Sequence, residues 1–257
     1  MRLRLVPPAS FLSSKDKLND GIAEPAAEHP PRSHPTPPGD LSPARLPARS
    51  PGTNTPIPID TPDALIRLAN IYEDGDGVEV DLPRAISYYE QVGQLGHPAA
   101  WFSLALLYHR NETVQDYAKA RRYYEKAANL GYVKAATNLG YLWQYGFGGP
   151  QDFASALRYY HKAGELGDPL SWNRLGAYYA GFSTPPGATP DCAQAIHYFK
   201  KATRAGHASA WLWLGMCYCG ESLMQDYAKA RECYQKALAH GEVEAADYLD
   251  ELDRLGL

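Results

Sequence analysis

The sequence predicts an all-α protein. It reads as a right-handed α/α superhelical solenoid of five repeats plus a C-terminal capping helix, preceded by a disordered proline-rich tail. Three observations predict this. A two-helix pattern recurs five times from about residue 61 onward, at intervals of 35 to 39 residues. Its apolar columns are spaced four residues apart, the period of one helix face. The first 60 residues differ in kind, with 13 of the 21 prolines and a single aromatic, Phe11. A period in this range, built from two helical stretches, is the signature of a stacked helical array.

From Pro25 to Pro58, proline alternates with Ser, Thr, Ala, Arg and His. Such a segment has too few apolar groups to offset the entropy of ordering, so disorder is expected over 1–60. His34-Pro35-Thr36-Pro37-Pro38 is a candidate polyproline II ligand, with a plain spacer as the alternative. The array then occupies 61–257, with repeats at about 63–98, 99–133, 134–169, 170–208 and 209–243 and a cap at 244–257.

Thr61-Pro62-Asp63 is a helix start: Thr as N-cap, Pro at the first helical position, Asp in the first turn. Helix A of each repeat carries three columns. The first is small: Ala64, Ala100, Ala135, Ser171, Ala210 and, in the cap, Ala245. Four residues on comes Leu68, Leu104, Leu139, Leu175, Leu214 and Leu249, and four further an aromatic: Tyr72, Tyr108, Trp143, Tyr179, Tyr218. Helix B starts at Asp81, Asp116, Asp152, Asp191 or Asp226, expected as N-caps. Small Ala85, Ala120, Ala156, Ala195 and Ala230 follow, then Tyr89, Tyr124, Tyr160, Phe199 and Tyr234. Gly96, Gly131, Gly167, Gly206 and Gly241 fit the left-handed turn that ends a helix. Trp101, Trp172 and Trp211 share a column three residues before the Leu and read as core.

These columns resemble the Sel-one-like repeat, a relative of the tetratricopeptide repeat. Leu139-Gly140, Leu175-Gly176 and Leu214-Gly215 match its Leu-Gly step. Gly75-Asp76-Gly77-Val78 matches its loop. Asp116, Lys119-Ala120, Tyr123-Tyr124, Lys126-Ala127-Ala128 and Gly131 match its second helix. Ala69 and Ala105 replace the glycine of the Leu-Gly step in the first two repeats. Repeat four has an expanded loop, Gly181 to Pro190, a candidate contact site or simply tolerated drift. The resemblance implies a scaffold of the kind used in signalling, envelope assembly and protein quality control.

Composition excludes several classes. The net charge of −4 gives no basic surplus to steer the chain to nucleic acid. No apolar run approaches the roughly 18 to 20 residues of a membrane span. Two prolines, Pro7 and Pro8, interrupt the N-terminal stretch, so no secretion signal is expected and a cytoplasmic home is. Cys192, Cys217, Cys219 and Cys233 do not recur once per repeat and are expected as thiols, although Cys217 and Cys233 lie on the two helices of one repeat. No catalytic set, cofactor motif or metal-ligand spacing is found. Lys119, Arg121, Arg122 and Lys126 form a stripe broken by Glu125 and read as a solvated face.

Binding is expected instead on helix A. By analogy with tetratricopeptide arrays, two columns point into the concave face. The first is Ile66, Phe102, Thr137, Asn173, Leu212; the second is Asn70, Leu106, Tyr141, Ala177, Met216; His109, Gln144 and Tyr145 lie one turn beyond. The candidate partner-binding residues are therefore Asn70, Phe102, Leu106, His109, Thr137, Tyr141, Gln144, Tyr145, Asn173, Leu212 and Met216. The opposing expectation is that neighbouring helices A cover them. The functional expectation is a non-enzymatic adaptor for a protein or peptide partner. The alternatives are a secreted effector, a regulator of a bound enzyme, or a hydrolase-like member that binds cell-wall or β-lactam ligands. The last of these resembles cysteine-rich members whose cysteine pair per repeat is not found here.

Overall fold

The computed structural model describes residues 61–257 apart from 186, 221 and 222. The expected disorder of 1–60 and the His34–Pro38 segment lie outside the described residues. These form eleven α-helices and no strand. They are α1 (Pro62–Asp74), α2 (Leu82–Gln94), α3 (Pro98–Arg110), α4 (Tyr117–Asn129), α5 (Val133–Tyr145), α6 (Phe153–Glu165), α7 (Pro169–Tyr179), α8 (Cys192–Arg204), α9 (Ala210–Cys219), α10 (Tyr227–Ala239) and α11 (Ala245–Leu255). Odd-numbered helices through α9 are the A helices, even-numbered ones the B helices, and α11 is the cap. None is long and apolar enough to cross a membrane.

The described residues fall into two compact units. Residues 61–135 with 147–149 hold α1 to α4, and residues 136–146 with 150–257 hold most of α5 and all later helices.

Each B helix is started by the same device. The side chains of Asp81, Asp116, Asp152, Asp191 and Asp226 accept the backbone N–H three residues on, at 3.0 to 3.1 Å. Such a cap contributes about 1 kcal/mol. The backbone N–H of each of these aspartates donates to the carbonyl of the helix-A aromatic: Tyr72, Tyr108, Trp143, Tyr179 or Tyr218, at 2.8 to 3.0 Å. Loop length does not disturb this bond, which also closes the expanded loop before Asp191. In three repeats the residue before the cap adds a second tie. Gln115, Gln151 and Gln225 donate through Nε2 to the carbonyls of His109, Gln144 and Cys219. The recurring segment Gln115–Arg121 and Gln225–Arg231 is thus a loop-closing unit.

Each B helix also ends alike. Gly131 has φ 86°. Its N–H donates to the Ala128 carbonyl and the Tyr132 N–H to the Ala127 carbonyl. This is a Schellman turn, whose left-handed residue strains any side chain. The same two bonds recur around Gly96, Gly167, Gly206 and Gly241.

Helices A and B pack through the small column. A Cβ on Gly215 would lie 2.5 Å from Tyr234 Cε1, and Gly140 and Gly176 stand as close to Tyr160 and Phe199. The first unit has Ala69 and Ala105 at this position, both fully buried. Gly215→Ala is expected to cost about 1–3 kcal/mol because the buried ring must move. Urea unfolding measures this, and an unchanged midpoint would mean that the ring yields freely.

The tryptophan column joins a B helix to the next A helix. Trp101 lies flat on Gly93, where a Cβ would meet its Cε2 at 2.4 Å. It stacks on Tyr123 at 5.4 Å and carries Lys126 Nζ 4.0 Å above its ring. Trp172 repeats the arrangement with Gly164, Tyr198 and Lys201. Trp211 departs from the expected core role. Thr203 takes the place of the glycine, the ring is only half-buried, and it lines a cleft of about 330 Å³ with Lys200, Arg204 and Glu232.

The second unit's core gathers Leu175, Phe199, Leu214, Tyr234 and Leu252. Helix α11 closes it with Ala245 and Leu252 and leaves Asp247, Asp250, Asp253 and Arg254 exposed, as a cap requires.

Candidate functional site

The helix-A columns emerge from two kinds of position. In the first unit Asn70 is exposed and Leu106 half-buried, whereas Phe102 is fully buried between Tyr124 and Tyr132. In the second unit Thr137, Tyr141, Gln144, Asn173 and Leu212 are buried. Met216 is half-buried and Tyr145 is 40% exposed. The structure therefore splits the candidates. Asn70, Leu106, Tyr145 and Met216 meet solvent; the others are buried.

Asn70, His109, Gln144 and Thr137 have partners within the fold. The Tyr89 hydroxyl sits between Asn70 Oδ1 at 2.5 Å and Glu73 Oε2 at 2.7 Å. Burial pushes the Glu73 carboxyl above its ordinary range. The Tyr124 hydroxyl meets His109 Nδ1 at 3.2 Å. Burial, with Arg110 nearby, pulls His109 down to about 4, so its ring is neutral at pH 7. The Tyr160 hydroxyl donates to Gln144 Oε1 at 2.7 Å. Thr137 Oγ1 donates to Asp168 Oδ2 at 2.7 Å, joining the N-cap of α7.

One column explains most of this. The residue after each helix-A aromatic is Glu73, His109, Gln144, Ala180 or Cys219. Its counterpart on helix B is Tyr89, Tyr124, Tyr160, Phe199 or Tyr234. Where helix B offers a buried hydroxyl, helix A sets a polar or polarisable group against it. Where helix B has Phe199, helix A has Ala180. Tyr234 is the weakest case: it faces the Cys219 thiol, but its hydroxyl has no partner of hydrogen-bond geometry among the described residues. The coincidence of Ala180 with Phe199 is a signal in the sequence that could have revealed the pairing.

The repeat that carries this geometry is matched by one family model. The Sel1 repeat is found at 62–97, 99–132, 133–168, 173–207 and 209–242. The chain belongs to the Sel1 repeat family.

Solved Sel1 repeat structures share the fold. The chain superposes on c5321, described as a protective antigen of uropathogenic Escherichia coli, with a TM-score of 0.66 and 26% identity. That match covers 76% of this chain and 42% of c5321, so the chain spans less than half of that protein. A Sel1 repeat protein from Oxalobacter formigenes gives a TM-score of 0.62 and 28% identity, covering 76% of this chain and 79% of the other. No curated protein matches the sequence.

The five aspartates are caps. All four cysteines are free thiols. Burial pushes Cys217 up to about 12 and Cys233 to about 11, which keeps both protonated at neutral pH. Among the described residues no group of three or more His, Cys, Asp or Glu is placed to hold a metal. Lys119 and Lys126 of the basic stripe lie over the Tyr108 and Trp101 rings. The expanded loop borders a cleft of about 620 Å³ lined by Tyr178, Tyr179, Pro190, Cys192 and Met224.

Proposed function

We infer that this Sel1 array is a non-enzymatic scaffold that takes a peptide or protein segment on its helix-A face. Sel1 repeat proteins generally mediate protein–protein interaction. The observation that carries the reading to this face is Asn173. The residue is 3% exposed, yet its Oδ1 has no hydrogen-bond partner among the described residues. A buried carbonyl oxygen without a donor is costly, and a peptide N–H would satisfy it. Within the same unit, half-buried Met216 and exposed Tyr145 supply apolar contact area on A helices.

The test is affinity capture from the native host with the full chain and with its Tyr145→Ala/Met216→Glu variant. Both positions meet solvent, so the variant should melt within a few degrees of the parent by circular dichroism. A partner recovered on the parent and lost from the variant is the expected result. Equal recovery on both would move binding off the helix-A face.

A further inference from the structure

We propose that the cleft formed by α8, α9 and α10 is a binding slot for a tyrosine side chain on an acidic segment of a protein partner. It is a second site and does not rest on the helix-A reading above.

The slot is defined by a ring that two other repeats supply themselves. Seven residues after the helix-B aspartate stands Tyr88, Tyr123, Tyr159, Tyr198 or, in repeat five, Cys233. Trp101 and Tyr108 lie about two turns apart on α3. Tyr123 stacks on both, at 5.4 and 5.7 Å. Tyr198 stacks in the same way on Trp172 and Tyr179, at 5.9 and 5.4 Å. Repeat five keeps both walls, Trp211 and Tyr218, and the lysine over the indole, Lys236 at 4.6 Å. The Cys233 side chain is too short to bridge those walls, and the cleft of about 330 Å³ is lined by all three residues. A phenol ring stacked on Trp211 and Tyr218 would restore a packing that the array already uses twice.

The far end of the ring sets the charge of the ligand. In repeats two and four the tyrosine hydroxyl reaches back to the preceding helix B. Tyr123 donates to Glu90 Oε1 at 2.7 Å, and the Tyr198 hydroxyl meets His161 Nε2 at 2.8 Å. Along the B helices that position reads Glu90, Glu125, His161 and then Lys200. The slot that loses its ring therefore also exchanges its hydrogen-bond acceptor for a cation. Lys200 Nζ stands 5.7 Å from the Tyr218 ring centre, and exposed Arg204 follows one turn along α8. The other charges of the cleft are matched: Lys229 pairs with Asp226 and Glu232 with Lys236, each at 2.6 Å. Lys200 and Arg204 make no ion pair among the described residues. The fitting ligand brings a ring, an acceptor oxygen at its far end and a carboxylate nearby. A tyrosine flanked by Asp or Glu has all three. Phe11, the single aromatic of residues 1–60, has no hydroxyl and lies among Arg2, Arg4, Lys15 and Lys17, with only Asp16 and Asp20 against them. The chain's own tail is thus a poor match.

Short acetylated and amidated peptides test this on the full chain. The readout is the indole Nε1–Hε1 resonance of Trp211, assigned by its loss in Trp211→Phe. The peptides place Glu on both sides of Tyr, Glu on both sides of Ala, Gln on both sides of Tyr, and Glu on both sides of phosphotyrosine. A saturable shift with the Glu-flanked Tyr peptide is expected, and affinity at least about tenfold lower when the ring or the acids are removed. Cys233→Tyr fills the slot with the chain's own ring, so it should abolish the shift and melt no lower than the parent. Lys200→Glu, at an exposed position, should weaken binding at least about tenfold with the melting midpoint unchanged. No shift with any peptide, or equal binding by the parent, Cys233→Tyr and Lys200→Glu, would overturn the proposal. Binding of the phosphotyrosine peptide at least about tenfold tighter than the Tyr peptide would make the phosphate ester the ligand instead. Binding that appears only in Phe11→Ala would give the slot to the chain's own tail.

Discussion

Trp101→Ala is expected to lower the unfolding free energy by about 3–5 kcal/mol. The ring is 6% exposed. It is held between Gly93 on α2 and Tyr123 on α4, with the Lys126 ammonium above it. Removing it leaves a cavity that those backbones cannot close, because Gly93 has no side chain to move in. Trp211→Ala serves as the internal comparison. That ring already borders a cleft and is half-buried, so its loss should cost clearly less. Urea unfolding followed by far-ultraviolet dichroism measures both. Equal losses for the two variants would mean that the glycine seat contributes nothing.

The second large effect is a response to acid. His109 is neutral in the folded chain, with a pKa near 4 against the ordinary 6.5. The unfolded chain therefore binds one more proton between those values. Its contribution to stability is fully present above pH 6.5 and is lost as pH falls from 6.5 to 4. The loss amounts to about 3 kcal/mol. Glu73 works in the opposite sense, since burial raises its carboxyl and acid relieves it. His109→Gln isolates the histidine, because Glu73 is common to both chains. Gln144 already accepts a tyrosine hydroxyl at the equivalent position, so glutamine should serve Tyr124 as well. The variant is expected to show a flatter stability profile between pH 7 and 4. Identical profiles would show that His109 titrates in the fold as it does in the unfolded chain.

His109 marks how far the candidate site was legible. The face on which each residue lies followed from spacing alone, because helix periodicity fixes direction within a turn. Whether a position on that face stays open did not follow. His109 and Gln144 look like groove residues in one helix; only helix B supplies the hydroxyls of Tyr124 and Tyr160 that occupy them. Arg174 drew no attention in the sequence because an arginine on an amphipathic helix ordinarily faces water. Its burial becomes visible only when Tyr141 and Tyr160 are placed around it.

The sequence by itself determined the array: the helices, their order, the aspartate that starts each B helix, the glycine that ends it and the small column through which the two pack. All of these are local, set by capping, φ preference and the period of one helix. Only the tertiary structure decided which polar side chains are already satisfied and which are not. That depends on partners 15 to 37 residues away, brought to within hydrogen-bond distance by helix packing. It also separated Trp101 and Trp172, seated on glycine, from Trp211 at the edge of a cleft, and it left Asn173 Oδ1 buried without a hydrogen-bond partner among the described residues.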